Sequence, residues 1–435
     1  MGYAMRLALI DGEHYPDVNR WALEKLKVDC AVFVGGMEKI GSIRDVERTL
    51  SIKLYYDEDI FKALERAIEE NEIREVIDLS DEPVLTPEIR FRIASFLLKR
   101  GITYIGADFE FKPKEWIKID VPSINIIGTG KRIGKTAIGG FVGRTLKEEY
   151  KVVIVTMGRG GPESPEVIRG DLMEITPEFL VEVSEKGRHA ASDHFEDALT
   201  AGVATVGCRR CGGGLAGFTF LDVLQKGIEV AKSLNPEIIV FEGSGASFAN
   251  VLSEGFITVV SALQGKEIKM YLYPLRISLG DLIVVTMADE VKDPGKISSL
   301  IKEINPDADI HLTRFSPRLI GNVEGKAVVV TTSTNSAKRV TKELEDRGID
   351  VVGFSGNLAN RVKLREELKK VSYDTLIVEL KAGAVDVAIK SALRSGKRIV
   401  FLDYEPKNID DKDLRESVKE LARRIVNDKG HRKGR

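Results

Sequence analysis

Short apolar runs alternate along the chain with longer amphipathic segments. Runs such as Leu7–Ile10, Ile238–Phe241 and Leu376–Leu380 predict buried strands. Segments such as Ile60–Glu70 and Ser336–Arg347 have the apolar spacing of helices that cover a core on one face. Strands that alternate with helices in this way favour a parallel sheet with helices on both faces. The pattern therefore predicts the α/β fold class.

The same pattern divides the chain into three units. A charged connector, Lys112–Val121, contains Pro113 and is followed by Pro122, and prolines punctuate regular structure. A further series of strands and helices begins at Ala327. We predict an N-terminal, Rossmann-like α/β domain at residues 1–119, a central domain at residues 120–325 and a C-terminal α/β domain at residues 326–435. A length of 435 residues is typical of two or three domains.

The first strand of the central domain leads into a glycine-rich loop and then a helix. Ile124, Ile126 and Ile127 predict the buried strand. Glycines let backbone N–H groups turn toward a phosphate, and the helix N-terminus adds positive potential. The segment predicts a P-loop NTPase domain in which ATP contacts Gly128, Thr129, Gly130, Lys131, Arg132, Ile133, Gly134, Lys135 and Thr136.

Two side chains at the start of that helix have defined roles in a P-loop. Lys135 is expected to reach the β- and γ-phosphates, and the Thr136 hydroxyl is expected to hold Mg²⁺. The common P-loop has four residues between its glycines, whereas five residues separate Gly128 from Gly134. The loop is therefore a variant, and the alternative is a tight strand-to-helix turn with incidental lysines.

Acidic residues near the same strands predict a magnesium site. Glu242 directly follows the apolar run that ends at Phe241, and a carboxylate in that position completes a magnesium shell in P-loop proteins. Asp193 lies at the start of a predicted helix and is a second candidate ligand. The alternative for Asp193, and for Ser192 before it, is a helix N-cap.

Three arginines are candidates for substrate phosphates. Arg159 follows the strand Lys151–Met157 within a glycine-rich turn, where its planar fork is suited to a phosphate oxygen. Arg209 and Arg210 lie in the glycine-rich segment 207–214, which follows a predicted strand at Val203–Val206. The alternatives are a solvated turn arginine at position 159 and a flexible basic loop at 207–214.

Cysteine content adds little to this picture. Cys208 and Cys211 have C-x-x-C spacing, but no second pair completes a structural zinc site. Plain thiols, a local disulfide, a metal site and a redox role all remain open for these two residues.

Overall composition excludes several classes of partner. With 65 basic and 67 acidic residues the net charge is −2, so no basic field favours nucleic acid. No segment is long and apolar enough to predict a membrane span. The N-terminus lacks the layout of a signal peptide because Asp11 and Glu13 interrupt its apolar run. We therefore expect a cytoplasmic protein.

The motifs in the central domain resemble those of dethiobiotin synthetase. The loop GTGKRIGKT has the same five-residue spacing, and VFEGSGAS is similar to the strand of that enzyme that ends at a metal ligand. Asp193 resembles its second metal-binding aspartate. The resemblance implies Mg²⁺ binding by Thr136, Asp193 and Glu242.

Over its whole length the chain resembles the archaeal cyclic 2,3-diphosphoglycerate synthetase family. The segments that carry this resemblance are IDGEHYP, GTGKRIGKT, VTMGRGGPESPEVIRGD, CRRCGGGLAG, VFEGSGAS and VELKAGAVDVA. The resemblance implies an ATP-dependent ligase that closes an intramolecular phosphoanhydride in 2,3-diphosphoglycerate with release of ADP and phosphate. It also implies a homodimer.

A mechanism follows as a hypothesis from the candidate residues. Lys135 and Lys131 stabilise the γ-phosphoryl group in flight, and Arg159 acts with them. Arg159, Arg209 and Arg210 clamp the substrate phosphates, so positioning and positive charge supply the catalysis.

Two other functions remain open on the same scaffold. One is a nucleotide-driven switch or metallochaperone, but the signature lysine of one such group is expected at position 130, which is Gly130 here, with Lys131 one residue late. The other is a different ATP-dependent kinase or synthetase that acts on a small acid.

Overall fold

The computed structural model describes residues 5–381 and 383–433. Residues 1–4, the start of the segment interpreted as lacking a signal peptide, lie outside the described residues. Chain packing divides the protein into two compact units. The first comprises residues 1–115 and 266–279, and the second comprises residues 116–265 and 280–435.

Strands and helices alternate along the chain. The strands are β1 (Met5–Ile10), β2 (Cys30–Phe33), β3 (Lys53–Tyr55), β4 (Ile73–Asp78), β5 (Thr103–Ile105), β6 (Glu110–Phe111), β7 (Ser123–Gly128), β8 (Val152–Gly158), β9 (Glu166–Arg169), β10 (Ala204–Gly213), β11 (Thr219–Asp222), β12 (Ile238–Gly243), β13 (Gly255–Ser261), β14 (Leu282–Thr286), β15 (Asp309–Ile320), β16 (Ala327–Val330), β17 (Val351–Ser355), β18 (Thr375–Glu379) and β19 (Arg398–Asn408).

The helices are α1 (Pro16–Leu26), α2 (Ile43–Thr49), α3 (Ile60–Glu70), α4 (Pro87–Lys99), α5 (Lys135–Leu146), α6 (Pro177–Glu185), α7 (Asp193–Ala201), α8 (Leu224–Ser233), α9 (Tyr273–Leu279), α10 (Gly295–Ile304), α11 (Thr334–Asp346), α12 (Arg361–Leu368), α13 (Lys390–Arg394) and α14 (Leu414–Lys433). Short 3₁₀ segments lie at Ala262–Lys269 and Ala288–Glu290, and a π-helical segment lies at Ala384–Ile389. In the described part of the chain, no helix is both long enough and apolar enough to cross a membrane.

The first unit contains a six-stranded sheet in the order β3-β2-β1-β4-β5-β6. The pairs from β3 to β5 are parallel, and β6 runs antiparallel to β5. Strand β1 lies in the middle of this sheet, and its last four residues, Leu7–Ile10, are apolar and buried on both faces.

The second unit is built on one larger sheet in the order β11-β10-β8-β12-β7-β13-β14-β15-β19-β18-β16-β17, with β9 paired to β10. The strands from β10 to β14 are parallel to their neighbours along this order. Strands β7, β8, β12, β13 and β14 are buried along their whole length, as continuous apolar runs in a parallel sheet require. Their carboxyl ends therefore meet at one edge, where ligands of such sheets bind.

The α/β prediction is confirmed. The elements that the pattern missed include β13 and helices α2, α6, α8 and α10. The alternative of a flexible loop at 207–214 was wrong, because β10 continues to Gly213. The long strand β15 pairs with β14 at its start and with β19 over Thr313–Ile320, so central and C-terminal regions share one sheet. The domain borders at 119/120 and 325/326 remain predictions.

Candidate functional site

The glycine-rich loop lies between the buried strand β7 and helix α5. Gly134 caps the helix with φ = 85°, a conformation that favours glycine. Phe315 packs directly over this position, since a methyl group on Gly134 would lie 2.3 Å from its ring. The loop therefore needs glycine at position 134 for two reasons, its backbone conformation and the space beside it.

Thr129 fastens the start of the loop to the neighbouring strand. Its N–H donates to the Val259 carbonyl at 3.1 Å, and its hydroxyl donates to Gln264 Oε1 at 2.6 Å. The same Gln264 oxygen accepts from the Ser261 N–H at 3.1 Å. Sequence reasoning missed Gln264, because nothing in its local sequence shows that it lies beside the loop.

Lys135 and Glu242 form a buried pair at the carboxyl ends of adjacent strands. Lys135 Nζ lies 3.6 Å from Glu242 Oε1, and the two side chains are only 6% and 2% exposed. Burial raises the pKa of Glu242, Lys135 opposes this shift, and Asp193 adds to it. Lys135 Nζ and Glu242 Oε2 have no hydrogen-bond partner among the described residues. Lys135 Nζ can therefore still donate to a phosphate oxygen, and Glu242 Oε2 can still bind a cation.

Helix α5 is shaped to admit this carboxylate. A methyl group at Gly139 would lie 2.2 Å from Glu242 Oε2 and 3.0 Å from its carboxyl carbon. Gly140 and Gly143 open the same helix toward α7, where their methyl groups would meet Thr200 Oγ1 at 2.7 Å and Ala201 Cβ at 2.8 Å. The glycines of α5 thus let a carboxylate and a second helix approach its backbone.

Helix α7 presents three acidic residues at helical spacing. Asp193, Glu196 and Asp197 are three and four residues apart, so they share one face. Asp193 Oδ2 comes close to the end of β8, because a methyl group at Gly158 would lie 3.0 Å from it. Ser192 precedes the helix, but its hydroxyl donates to the His189 carbonyl at 2.6 Å and does not cap α7.

Asp197, like Glu196, is an acidic residue of α7 that sequence reasoning missed. It is fully buried, and neither carboxylate oxygen has a hydrogen-bond partner in the described ranges. Burial raises its pKa well above the usual range, and the charges of Glu242, Glu196 and Asp193 add to this rise. The four-residue spacing from Asp193 is the signal that could have identified it.

The chemistry of this acidic group fits magnesium. Carboxylate oxygens are hard ligands, and those of Asp197 and Glu242 Oε2 lack donors. Over the described ranges, no three His, Cys, Asp or Glu side chains converge closely enough to hold an ion by themselves. Mg²⁺ suits such a site, because it is usually bound by one or two carboxylates together with waters and substrate phosphates. Thr136 lies in the first turn of α5, next to Lys135.

The three predicted arginines are divided between two environments. Arg210 is buried, and its guanidinium donates to the Ser244 carbonyl at 2.6 Å while Nε has no partner among the described residues. Burial lowers the pKa of Arg210, the positive charge of Arg159 lowers it further, and Asp193 opposes both. Two like-charged guanidiniums held near each other are suited to an anion.

Arg209 faces the opposite side of β10, since successive strand residues alternate. Its Nε donates to the Gly161 carbonyl at 2.9 Å, and its Nη1 lies 3.5 Å from Glu163 Oε2. Arg209 is thus already engaged, and the structure brings together Arg159 and Arg210 but not all three arginines. Lys131 and Arg132 are exposed in the phosphate loop.

A lysine from the C-terminal region reaches helix α7. Lys381 Nζ lies 2.5 Å from Glu196 Oε1 and also contacts Oε2. Burial raises the pKa of Glu196 to about 7 although Lys381 opposes the shift. Burial alone would lower the pKa of Lys381, but Glu196 and Asp193 together raise it. Through this ion pair the C-terminal region adds a positive charge to the acidic face of α7.

The structure tests one of the alternatives for Cys208 and Cys211, the local disulfide. Cys208 is buried and Cys211 is exposed, and both are free. Three residues of extended strand separate them by about 10 Å, beyond the reach of a disulfide. The local disulfide is therefore excluded in this conformation.

Family models for cyclic 2,3-diphosphoglycerate synthetase match three consecutive regions of the chain. The model of the N-terminal domain matches residues 6–112, that of the P-loop domain matches residues 123–314, and that of the C-terminal domain matches residues 319–405. The match to the P-loop domain includes the loop, Lys135, the acidic residues and the three arginines described above.

Curated relatives match the chain from end to end. The cyclic 2,3-diphosphoglycerate synthetase of Pyrococcus abyssi is 75% identical over 98% of this chain and 100% of its own length. That of Pyrococcus furiosus is 72% identical over the same shares, 98% and 100%. Among solved structures, LpxK from Aquifex aeolicus in complex with ATP is 15% identical with a TM-score of 0.45, covering 78% of this chain and 97% of its own, a likeness too slight to bear on function. The chain belongs to the cyclic 2,3-diphosphoglycerate synthetase family.

Proposed function

We propose that this chain uses ATP and Mg²⁺ to close the intramolecular phosphoanhydride of 2,3-diphosphoglycerate, giving cyclic 2,3-diphosphoglycerate, ADP and phosphate. Membership of the family supports this activity. The observation that carries it is the position of Asp193, whose charge acts on Glu242 beside Lys135 and also on Arg210 beside Arg159. The carboxylate of Asp193 is thus a neighbour of both the proposed nucleotide site and the proposed anion site.

We assign one set of roles to the nucleotide site and another to the anion site. The phosphate loop from Gly128 to Thr136 binds the triphosphate, and Lys135 with Lys131 neutralises the γ-phosphoryl group as it moves. Thr136, Asp193 and Glu242 would hold Mg²⁺, which would neutralise phosphate charge at the site. The fit of this ion rests on the unpartnered carboxylate oxygens and not on a closed cage of protein ligands.

The arginines would hold the substrate next to the nucleotide. Arg159 and Arg210 bind its phosphates, and Arg209 orders the loop through Gly161 and Glu163 while adding positive charge. One substrate phosphate oxygen attacks the γ-phosphorus of ATP and ADP leaves. The second substrate phosphate then attacks the activated one, the ring anhydride forms, and the transferred group leaves as inorganic phosphate. Phosphate oxygens are already ionised at neutral pH, so positioning supplies the catalysis.

We also propose a cytoplasmic homodimer that requires neither nucleic acid nor a membrane. The nearly balanced charge of the chain supports the absence of a nucleic-acid partner, whereas the homodimer rests on the family resemblance. Size-exclusion chromatography with light scattering measures the oligomeric state directly.

Phosphorus NMR of the protein with ATP, Mg²⁺ and 2,3-diphosphoglycerate tests the activity. Ring closure moves both substrate resonances into the anhydride region, whereas a kinase would add a phosphate resonance to an open acid. A nucleotide switch or metallochaperone would release only ADP and phosphate. We expect Lys135→Ala to abolish ring closure and Lys226→Ala, an exposed lysine of α8, to leave it unchanged. Substantial ring closure by the Lys135 variant would reject the role of that residue.

A further inference from the structure

Asp197 has an environment that a carboxylate rarely tolerates. It lies in α7 one turn after Asp193, is fully buried, and has two oxygens with no partner in the part of the chain that the structure describes. Burying an ionisable group without hydrogen bonds is costly, so such groups normally have partners. The missing partners are expected to be molecules that the bare chain does not contain.

The charges around Asp197 indicate what those molecules are. Glu242, Glu196 and Asp193 act on it with negative charge, and Lys381 acts with positive charge. Lys135 is the second ammonium group, 3.6 Å from Glu242. Among the groups that act on Asp197 itself, three carboxylates outnumber one ammonium group, and a divalent cation would offset this excess of negative charge.

The cation cannot be held by these carboxylates alone. Within the described residues, no three acidic, histidine or cysteine side chains are close enough to form a cage. Mg²⁺ loses its waters reluctantly and keeps several of them in proteins. Waters bound to Mg²⁺ have O–H groups to donate, and the ionised form of Asp197, which a nearby cation would favour, accepts them.

We propose that Asp197 accepts hydrogen bonds from waters bound to the magnesium ion beside Asp193 and Glu242, and so positions that ion at the phosphate loop. This inference rests on the proposed magnesium site and adds a residue to it. Asp197 is in this account a positioning residue, because it touches neither the metal nor the substrate. Loss of such an outer partner typically weakens metal affinity 10–100-fold.

The test uses Asp197→Asn, which keeps the shape of the side chain and removes its charge. In EDTA we expect the variant to unfold at a temperature at least as high as the wild type, because the buried charge is gone. The rise in unfolding temperature on adding MgCl₂, without nucleotide, should shrink. Binding of Mn²⁺, measured by electron paramagnetic resonance, should weaken about 10–100-fold.

Thr145→Val is a matched control. Thr145 is fully buried near the end of α5, and its hydroxyl has no hydrogen-bond partner among the described residues. Its replacement also removes an unpartnered polar group, but at a distance of ten residues from Lys135 along the helix. We expect this variant to keep the magnesium-dependent rise and the Mn²⁺ affinity of the wild type.

Two results would overturn the proposal. Unchanged Mn²⁺ affinity with a lower unfolding temperature in EDTA would make Asp197 a structural residue, and a loss of affinity beyond about 1,000-fold would make it a direct ligand. The NMR assay separates failure of the proposed role of Asp197 from failure of the proposed activity. Ring closure by the wild type with unchanged Mn²⁺ binding in the variant would overturn Asp197 alone. Weakened Mn²⁺ binding without ring closure by the wild type would overturn only the activity.

Discussion

At the scale of single residues, the site depends on glycine where a helix backbone faces a carboxylate. Gly139 leaves room for Glu242 Oε2, which a methyl group would approach to 2.2 Å. A tertiary contact requires this glycine, and helix propensity does not, because alanine is the better helix former by about 1 kcal/mol. Helix propensity alone would therefore favour Gly139→Ala, which the contact with Glu242 disfavours.

We predict that Gly139→Ala lowers ring closure at least about 10-fold by displacing Glu242 from Lys135, a loss of more than about 1.4 kcal/mol of transition-state stabilisation. Steady-state kinetics with varied Mg²⁺ should show a higher magnesium requirement. Gly140→Ala is the matched control, because its methyl group would meet Thr200 Oγ1 and not the carboxylate. Equal losses in both variants would contradict the assigned role of Gly139.

The ion pair of Glu196 gives a prediction about pH. Burial raises the pKa of Glu196 to about 7 from 4.5, so the folded chain keeps this proton in the range where the unfolded chain loses it. Stability from this group is present in full below pH 4.5 and is lost as pH rises through 7. Against Glu196→Gln, the wild type should lose about 3 kcal/mol of unfolding free energy between these values.

Guanidinium unfolding of both proteins at several pH values, in EDTA, measures this difference. Titrating groups distant from Glu196 are common to the two proteins, and their contributions cancel in the comparison. A difference that stays constant from pH 4.5 to 7 would show that burial does not shift the titration of Glu196.

At the scale of elements, strand β10 decides which arginine serves the anion site. Neighbouring residues of a strand face opposite sides, so Arg210 is buried beside Ser244 while Arg209 reaches Gly161 and Glu163. We predict that Arg210→Gln raises KM for 2,3-diphosphoglycerate at least about 10-fold, and that Arg209→Gln changes it by less than about threefold, as expected for losing a buried rather than an exposed charged contact. Initial-rate kinetics at saturating ATP compare the two, and the reverse order would refute this ranking.

Some elements and site residues could be predicted from the sequence, and others could not. The phosphate loop, Lys135 and Glu242 follow from local spacing, because strand, loop and helix start are contiguous in the chain. The extension of β10 through Cys208–Gly213 did not follow, since three glycines at 212–214 favour a loop. Pairing with β8 as far as Arg209, and with β11 from Arg210 to Gly213, continues the strand. Gln264, Asp197 and Lys381 were not assigned to the site because their neighbours come from distant parts of the sequence.

At the scale of the whole molecule, the central and C-terminal regions share both a sheet and a core. Strand β15 pairs with β19 along eight residues, and one apolar cluster joins Leu180 and Phe195 to Val328 and Leu376. Burial of such a shared cluster is the main stabilising term in folding. The predicted border at 325/326 therefore separates regions that have no independent sheet.

We predict that a chain ending at residue 325 is insoluble or aggregated, because it exposes the edge of β15 and half of the shared cluster. Expression followed by size-exclusion chromatography tests this, with the full chain as control. A monodisperse truncated protein with cooperative unfolding would establish that the border separates independent domains.

The unpartnered oxygens of Asp197 have a consequence inside a living cell. Without the proposed magnesium ion the chain would retain a group of mutually repelling acids in its second unit, so it would open more often, and proteases act on the opened form. Abundance of the enzyme would then follow the magnesium supply of its host, and newly made copies would survive only where the ion is plentiful enough for them to work.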